Sequence, residues 1–346
     1  MEMYTSEGWL NFPEIDAVAQ RNRINFIIII GKRQVGKTFG CLKLMLDDNR
    51  QFIFMRLTTT ELDMLNKGVN SPFEKVAPNE IIFKSESQYS SEISRIATRD
   101  DGAEDKTRIG MGAALSTIGK IRGFNGDPYT DLVIDEAIPE SHLFKVRDEE
   151  SAFLNAHTTI NGNRELEGRP CLKTWILANS NNLNSGILNA LHLIPVIERM
   201  ILRGEEFKML VEQGVMILLP DSNKVIEERK KGGLYRAIGG KSDFARMAYE
   251  NEFSYNDFTN VRSEPLREYI PYITVGDITI HMHKSDKRLY VTARSNAKVR
   301  FKYTTAEKDM MRFSAEHVDL QYAFKRDRII FNSQEVKIKF RNYLKI

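Results

Sequence analysis

Hydrophobic positions follow two different patterns along this chain. Through the first 220 residues they come as short continuous runs, each closing on a glycine or on polar residues. Ile27–Ile30 in "NFIIIIGKRQVGKTFG" is the clearest, and "QFIFMRL" (51–57), "TDLVIDEAIPE", "KTWILANSNN" (173–182) and "GVMILLPD" (214–221) repeat it. Unbroken apolar runs of this length, rich in β-branched residues, predict parallel strands buried on both faces. After the first run, "TFGCLKLML" switches to helical apolar spacing, so strand, glycine loop and helix follow in order. Next, "SNKVIEERKKGGLYRAIGGKSDFARMAYE" is charged and helical, broken at Gly232-Gly233 and Gly239-Gly240. Double glycines at the ends of short helices read as a jointed linker over 221–250. Beyond it, apolar and polar residues alternate in "ITVGDITIHMH", a turn at "KSDK", "RLYVTARS", and near the terminus "VKIKF". That alternation predicts a hairpin and one further strand in a small antiparallel sheet. The expectation is an α/β domain over 1–220 and a smaller α+β domain over 251–346.

Composition narrows this only a little. A chain of 346 residues is long for one core, and 42% hydrophobic with 28% charged residues is ordinary for a globular protein. No apolar run approaches the roughly 18 residues of a membrane span. The opening "MEMYTSEGWLNFPEID" is acidic and lacks the basic-then-apolar order of a signal peptide. Cys41 and Cys171 are too far apart to suggest a disulfide framework or a zinc cluster, which favours a reducing, cytosolic setting. The net charge of +3 says nothing about nucleic acid. The C-terminal run carries Lys325, Arg326, Arg328, Lys337, Lys339, Arg341 and Lys345 against Asp327 and Glu335. It reads either as a solvated face or as a surface for phosphates.

The chemistry lies in the loops that close the runs. From Gly31 the chain reads G-x-x-x-x-G-K-T, and the strand before it and helix after it are the context in which that spacing binds phosphate. The glycines let backbone N–H groups turn inward, Lys37 supplies a point charge to the outer phosphates, and the Thr38 hydroxyl is placed to ligate Mg²⁺. Such a loop needs a carboxylate on a neighbouring strand. Leu132, Val133 and Ile134 lead to Asp135 and Glu136, the first suited to hold Mg²⁺ and the second to orient and deprotonate a water. Asn179 and Ser180 end another run, where polar side chains could bond the γ-phosphate. No Asn-Lys-x-Asp segment is present, so ATP is expected rather than GTP. In the second half Asp277 and Asp286 fall at turns without a third acid, too few for a two-metal nuclease. His281 and His283 share one strand face, more in keeping with a sheet surface than with a metal site.

In this order, the pieces resemble the genome-packaging ATPases of small, protein-primed tailed phages. The resemblance rests on the P-loop, "RQFIFMRLTTTEL", "AALSTIGKIRGFNGDPYTDLVIDEA", "LEGRPCLKTWILANSNN" and "YITVGDITIHMHKSDKRLYVTA", and covers most of the chain. It implies an α/β P-loop NTPase core of the additional-strand (ASCE) type. A smaller α+β domain resembling a ribonuclease-H-like fold without its active site is implied to follow. It further implies ATP and Mg²⁺ as cofactors and a homo-oligomeric, pentameric ring that drives double-stranded DNA into a procapsid. Implied partners are the procapsid portal (connector) and, in some members, a structural packaging RNA. The implied setting is the host cytoplasm at the portal vertex, with no membrane, and the resemblance implies absence from the mature virion.

Position by position, the family's P-loop falls on Gly31, Lys32, Arg33, Gln34, Val35, Gly36, Lys37 and Thr38, and its acids on Asp135 and Glu136. Arg56 sits where the family keeps an arginine that contacts the catalytic glutamate. Arg122 takes the place of an interface lysine, a planar fork for a point charge. The resemblance puts an arginine finger at Arg164, with Arg169 as the alternative. Basic residues expected near the end of the second strand are here Leu57 and Thr59. A nuclease-bearing terminase and a P-loop small-molecule kinase are the alternatives.

Overall fold

The computed structural model describes residues 1–33, 35–68, 71–99, 104–120, 124–138, 146, 148–179, 183, 185–221, 260–293 and 298–344. Two compact units divide the chain, Met1–Leu191 with Arg199–Tyr255 and His192–Glu198 with Asn256–Ile346. The expected linker over 221–250 lies, apart from Asp221, outside the described residues.

The elements of the N-terminal half run in the order α1 (Phe12–Arg21), β1 (Phe26–Gly31), α2 (Lys37–Asp47), β2 (Phe52–Arg56), α3 (Thr59–Asn66), α4 (Pro72–Val76), β3 (Ile81–Ser85), β4 (Ser90–Thr98), β5 (Glu104–Ala114), β6 (Asp131–Ile134), α5 (Glu149–Asn161), β7 (Lys173–Asn179), α6 (Gly186–Ala190), α7 (Ile194–Arg203), β8 (Phe207–Leu210) and β9 (Val215–Leu218). The strands form one mixed sheet in the order β3-β4-β5-β2-β6-β7-β1-β9-β8. Its centre, from β5 to β9, is parallel, and antiparallel strands extend both edges. All five continuous apolar runs became strands. Ile27 and Ile29 pack into the cluster with α1 and α2, while Ile28 and Ile30 on the opposite face are equally buried. Two-sided burial is why these strands show no alternation.

Parallel strands bring their C-terminal ends to one edge of the sheet, and loops at that edge carry ligands in open α/β folds. The opposite edge is closed by a polar knot. Asp16 of α1 accepts from Arg50 at 2.6 Å and Lys173 at 2.5 Å, Arg50 also reaches Asp131 at 3.3 Å, and Trp175 Nε1 donates to Asp131 at 3.0 Å. Burial alone would push the Asp16 carboxyl up, but Arg50 and Lys173 hold it below the usual carboxylate range.

In the C-terminal half the elements are β10 (Tyr269–Val275), β11 (Ile278–His283), β12 (Leu289–Thr292), β13 (Phe301–Tyr303), α8 (Glu307–Glu316), α9 (Val318–Lys325), β14 (Ile329–Phe331) and α10 (Gln334–Leu344). The hairpin over "KSDK" joins β11 to β12. "ITVGDITIHMH", expected as one strand, is two, paired antiparallel around Gly276-Asp277. The sheet, ordered β13-β10-β11-β12-β14, is mixed rather than antiparallel, because β13 and β14 join its edges in parallel. "VKIKF", expected as a strand, lies in helix α10.

Candidate active site

Gly36 has φ of +84° and caps α2, and an added Cβ there would lie 3.2 Å from the Trp9 ring. Glycine suits both the left-handed backbone, which strains any residue with a Cβ, and the close ring. Beyond it the helix starts at Lys37, so the amides of its first turn, which have no intrahelical partner, open at the C-terminal edge of the sheet. Lys37 is buried, and its Nζ donates to the carbonyls of Gly31 at 3.0 Å and Lys32 at 2.6 Å and to Asn179 Oδ1 at 3.1 Å. Three acceptors hold the ammonium over its own loop. Lys32 is buried as well and pairs with Asp221, just past β9. Arg33 and Val35 complete the described part of the loop, and Gln34 lies outside the described residues.

From the parallel neighbour, Asp135 brings its Oδ1 to the Thr38 hydroxyl, which donates to it at 2.8 Å. Residues 97 apart in sequence thus meet at the spot where a P-loop holds its metal. Arg56, at the end of β2, spans both acids. One Nη lies 2.9 Å from Asp135 Oδ2 and the other 3.0 Å from Glu136 Oε2, while the guanidinium stands over the Phe54 ring at 5.5 Å. Asp135 is buried, whereas the Glu136 side chain is 52% exposed and its backbone has φ of 55°. A left-handed glutamate is uncommon, and strained positions of this kind concentrate at functional sites.

A cleft of about 1610 Å³ opens over these groups, lined among others by Trp9, Lys37, Thr38, Phe39, Asp135 and Asn179. The cradle amides, the hydroxyl–carboxylate pair and the buried lysine suit a triphosphate with its divalent cation. Trp9 was not legible as a site residue. The only signal was an aromatic after the turn-forming "SEG", upstream of the first strand.

Not every expected residue stands in this cleft. Arg164 is 4% exposed and donates through Nη2 to the carbonyls of Gly126 at 2.9 Å and Tyr129 at 2.5 Å. That guanidinium is committed to the loop before β6. Arg169, the alternative, has a side chain 34% exposed and pairs with Asp127 of the same loop at 2.7 Å. Arg122 and Ser180 lie outside the described residues. Leu57, where a cation was expected, is buried.

In the C-terminal half, Asp277 accepts from Lys339 and Tyr343, and Asp286 lies against His283 and Arg288. His281 shares a hydrogen bond with Thr292 at 3.0 Å. Among the described residues no three histidine, cysteine or acidic side chains are grouped to hold a metal ion. None of the described helices is long and apolar enough to cross a membrane.

Residues 11–344 match the podovirus DNA encapsidation protein (Gp16) family. The chain belongs to that family. Its fold is similar to that of the solved Phi-28 gp11 DNA packaging motor, at 18% identity and a TM-score of 0.64, with 99% of each chain covered. The bacteriophage Phi-29 viral genome packaging motor assembly is as similar, at 18% identity and 0.64, covering 97% of this chain and 99% of the other. No curated protein matches this encapsidation-family chain.

Proposed function

We propose that this chain is the ATP-hydrolysing subunit of a ring-shaped motor that drives double-stranded DNA into a procapsid. The observation that carries the reading is the meeting of Thr38 with Asp135, bridged onward by Arg56 to Glu136, at the mouth of the phosphate cradle. ATP fits the amides of residues 31–33 and 35–38, with Lys37 set to meet its outer phosphates, and Thr38 and Asp135 are the residues that would hold Mg²⁺. The cation, once bound, neutralises charge on the transferring phosphoryl group. Glu136 is the base: its exposed carboxylate takes the proton from water when Arg56 releases it. Asn179 frees Lys37 by giving up its own bond to the ammonium.

Strand β7 lies between β1 and β6, which supports a core of the additional-strand (ASCE) type. A three-stranded meander with flanking parallel strands supports a ribonuclease-H-like second unit, and the pairing of Asp277 and Asp286 with cations favours one without nuclease chemistry. Family membership supports a pentameric ring at the procapsid portal vertex in the host cytoplasm, with the portal and a packaging RNA as partners. Arg169, and Arg122 in the position of the interface lysine, are the arginines proposed to act in the adjacent subunit's site.

The deciding experiment is packaging of DNA into purified procapsids with ATP hydrolysis followed in parallel. DNA-stimulated hydrolysis with protected DNA is expected. Transfer of phosphate to a small acceptor, or metal-dependent cleavage of a plasmid, would replace this reading with the kinase or the terminase.

A further inference from the structure

The cleft continues past Thr38 onto a surface that the phosphate chemistry leaves unused. Trp9 and Phe39 line it, each 46% exposed. Of the exposed large apolar side chains among the described residues, these two alone face the cleft. Two half-exposed aromatic rings lining one cleft offer a ligand a large apolar contact area.

Trp9 is held in place. An antiparallel bridge between Tyr4 and Leu10 closes a turn, within which Thr5 N donates to Trp9 O at 2.7 Å and Gly8 N to Thr5 O at 2.9 Å. Tyr4 fastens the turn to the sheet, donating to Glu206 at 2.6 Å and accepting from the Asp221 amide at 2.8 Å. The turn thereby carries the indole beside Gly36, where an added Cβ would lie 3.2 Å from the ring. Phe39 comes from the first turn of α2, next to the hydroxyl that meets Asp135.

Resting on the cradle being an ATP site, we propose that Trp9 is the stacking platform for the adenine ring, with Phe39 as a second apolar wall. A nucleotide whose phosphates occupy the amides of residues 31–33 and 35–38 carries its base on the ribose, toward the open end of the cleft. A flat π-system of indole size offers a purine both contact area and a stacking face, without reading its hydrogen-bonding edge. The site would thus select a large flat base over a small one, and leave the distinction between adenine and guanine weak.

The test uses the full chain with ADP and pyrophosphate, both as magnesium complexes, since both can fill the cradle and only ADP carries a base. The chain has two tryptophans, and Trp175 is fully buried with its Nε1 bonded to Asp131 at the far edge of the sheet. A change in intrinsic fluorescence on adding ligand therefore reports Trp9. ADP should quench the emission and pyrophosphate should not. By calorimetry, Trp9→Ala should weaken ADP about tenfold, equivalent to about 1.4 kcal/mol, and leave pyrophosphate unchanged. Trp9→Phe should keep most of the affinity. Equal losses for both ligands, or none for either, would overturn the platform and leave Trp9 as packing over Gly36. If the unmutated chain binds neither ligand, the ATP site fails first and the platform falls with it.

Discussion

Glu136 shows how much of the site's chemistry is held in single residues. Its backbone occupies the left-handed region, which costs roughly 1–2 kcal/mol for a residue with a Cβ, and Arg56 holds its carboxylate at 3.0 Å. Arg56 thus holds one side of a carboxylate that is otherwise open to solvent. Glu136→Gln should leave ATP affinity intact and lower turnover by roughly 10²–10⁴-fold, measured as nucleotide binding against steady-state hydrolysis. Lost affinity would mean that Glu136 serves binding instead. Lys37, Thr38, Asp135 and Glu136 were legible because phosphate chemistry fixes residue types at fixed spacings after apolar strands. Burial leaves no such trace, so Arg164 and Arg169 look alike in "NGNRELEGR". Arg164→Ala strands the carbonyls of Gly126 and Tyr129 in the interior and should destabilise the chain by about 2–4 kcal/mol in urea unfolding. Arg169→Ala should leave stability within about 0.5 kcal/mol. In mixtures with Lys37→Ala chains, it should recover hydrolysis where Arg169→Ala alone has none. Absence of that rescue would remove Arg169 from the adjacent site.

At the scale of elements, the parallel core was legible because strands buried on both faces are continuous apolar runs. The edges were not. Strand β5, "EDKTRIGMGAA", mixes charges with two glycines, and its first half pairs only with β4 in solvent. Gly110 within it faces β2 so closely that a Cβ would lie 2.4 Å from the Phe52 carbonyl oxygen. A residue with poor strand propensity is there because backbone approach, not propensity, decides the position. Gly110→Val should therefore pry β5 from β2 and cost more than about 2 kcal/mol in urea unfolding. A cost below about 0.5 kcal/mol would show that the two strands can separate there freely. "VKIKF" misled for the converse reason, since five alternating residues fit period 2 while a longer stretch shows Val336, Phe340 and Leu344 four apart and fully buried. The Ser333 hydroxyl accepts from Val336 N at 3.3 Å and starts that helix. Folding also removes part of the basic run, because Lys339 pairs with Asp277 at 2.7 Å and Glu335 at 2.8 Å and Lys337 is buried.

For the whole molecule, two units with separate cores imply two unfolding events, and buried histidines give them different responses to acid. Burial pushes His281 down to about 4, against roughly 6.5 in an unfolded chain. Burial likewise lowers His317, although Asp319 and Glu316 oppose it. Both lie in the C-terminal unit. A histidine held neutral in the fold gives its stability above the unfolded value, and loses it as pH falls from about 6.5 toward 4. For His281 alone the loss near pH 5 is roughly 2 kcal/mol. In the N-terminal unit, burial holds His157 down too, against an opposing Glu165. Asp16 acts in the other direction, since a carboxylate kept below its ordinary value stabilises above about pH 4 and gives way only in stronger acid. Calorimetry from pH 7.5 down to about 5 should therefore move the transition of the C-terminal unit to lower temperature by more than that of the N-terminal unit. His281→Gln should flatten that shift, because an amide can keep the bond to Thr292 without a proton to gain. A C-terminal transition that ignores pH would mean that His281 is open to water in solution. A motor moves only if its nucleotide states differ in contacts, so a pH near 5 that loosens the second unit while sparing the cradle should lower DNA packaged per ATP hydrolysed before it lowers hydrolysis itself.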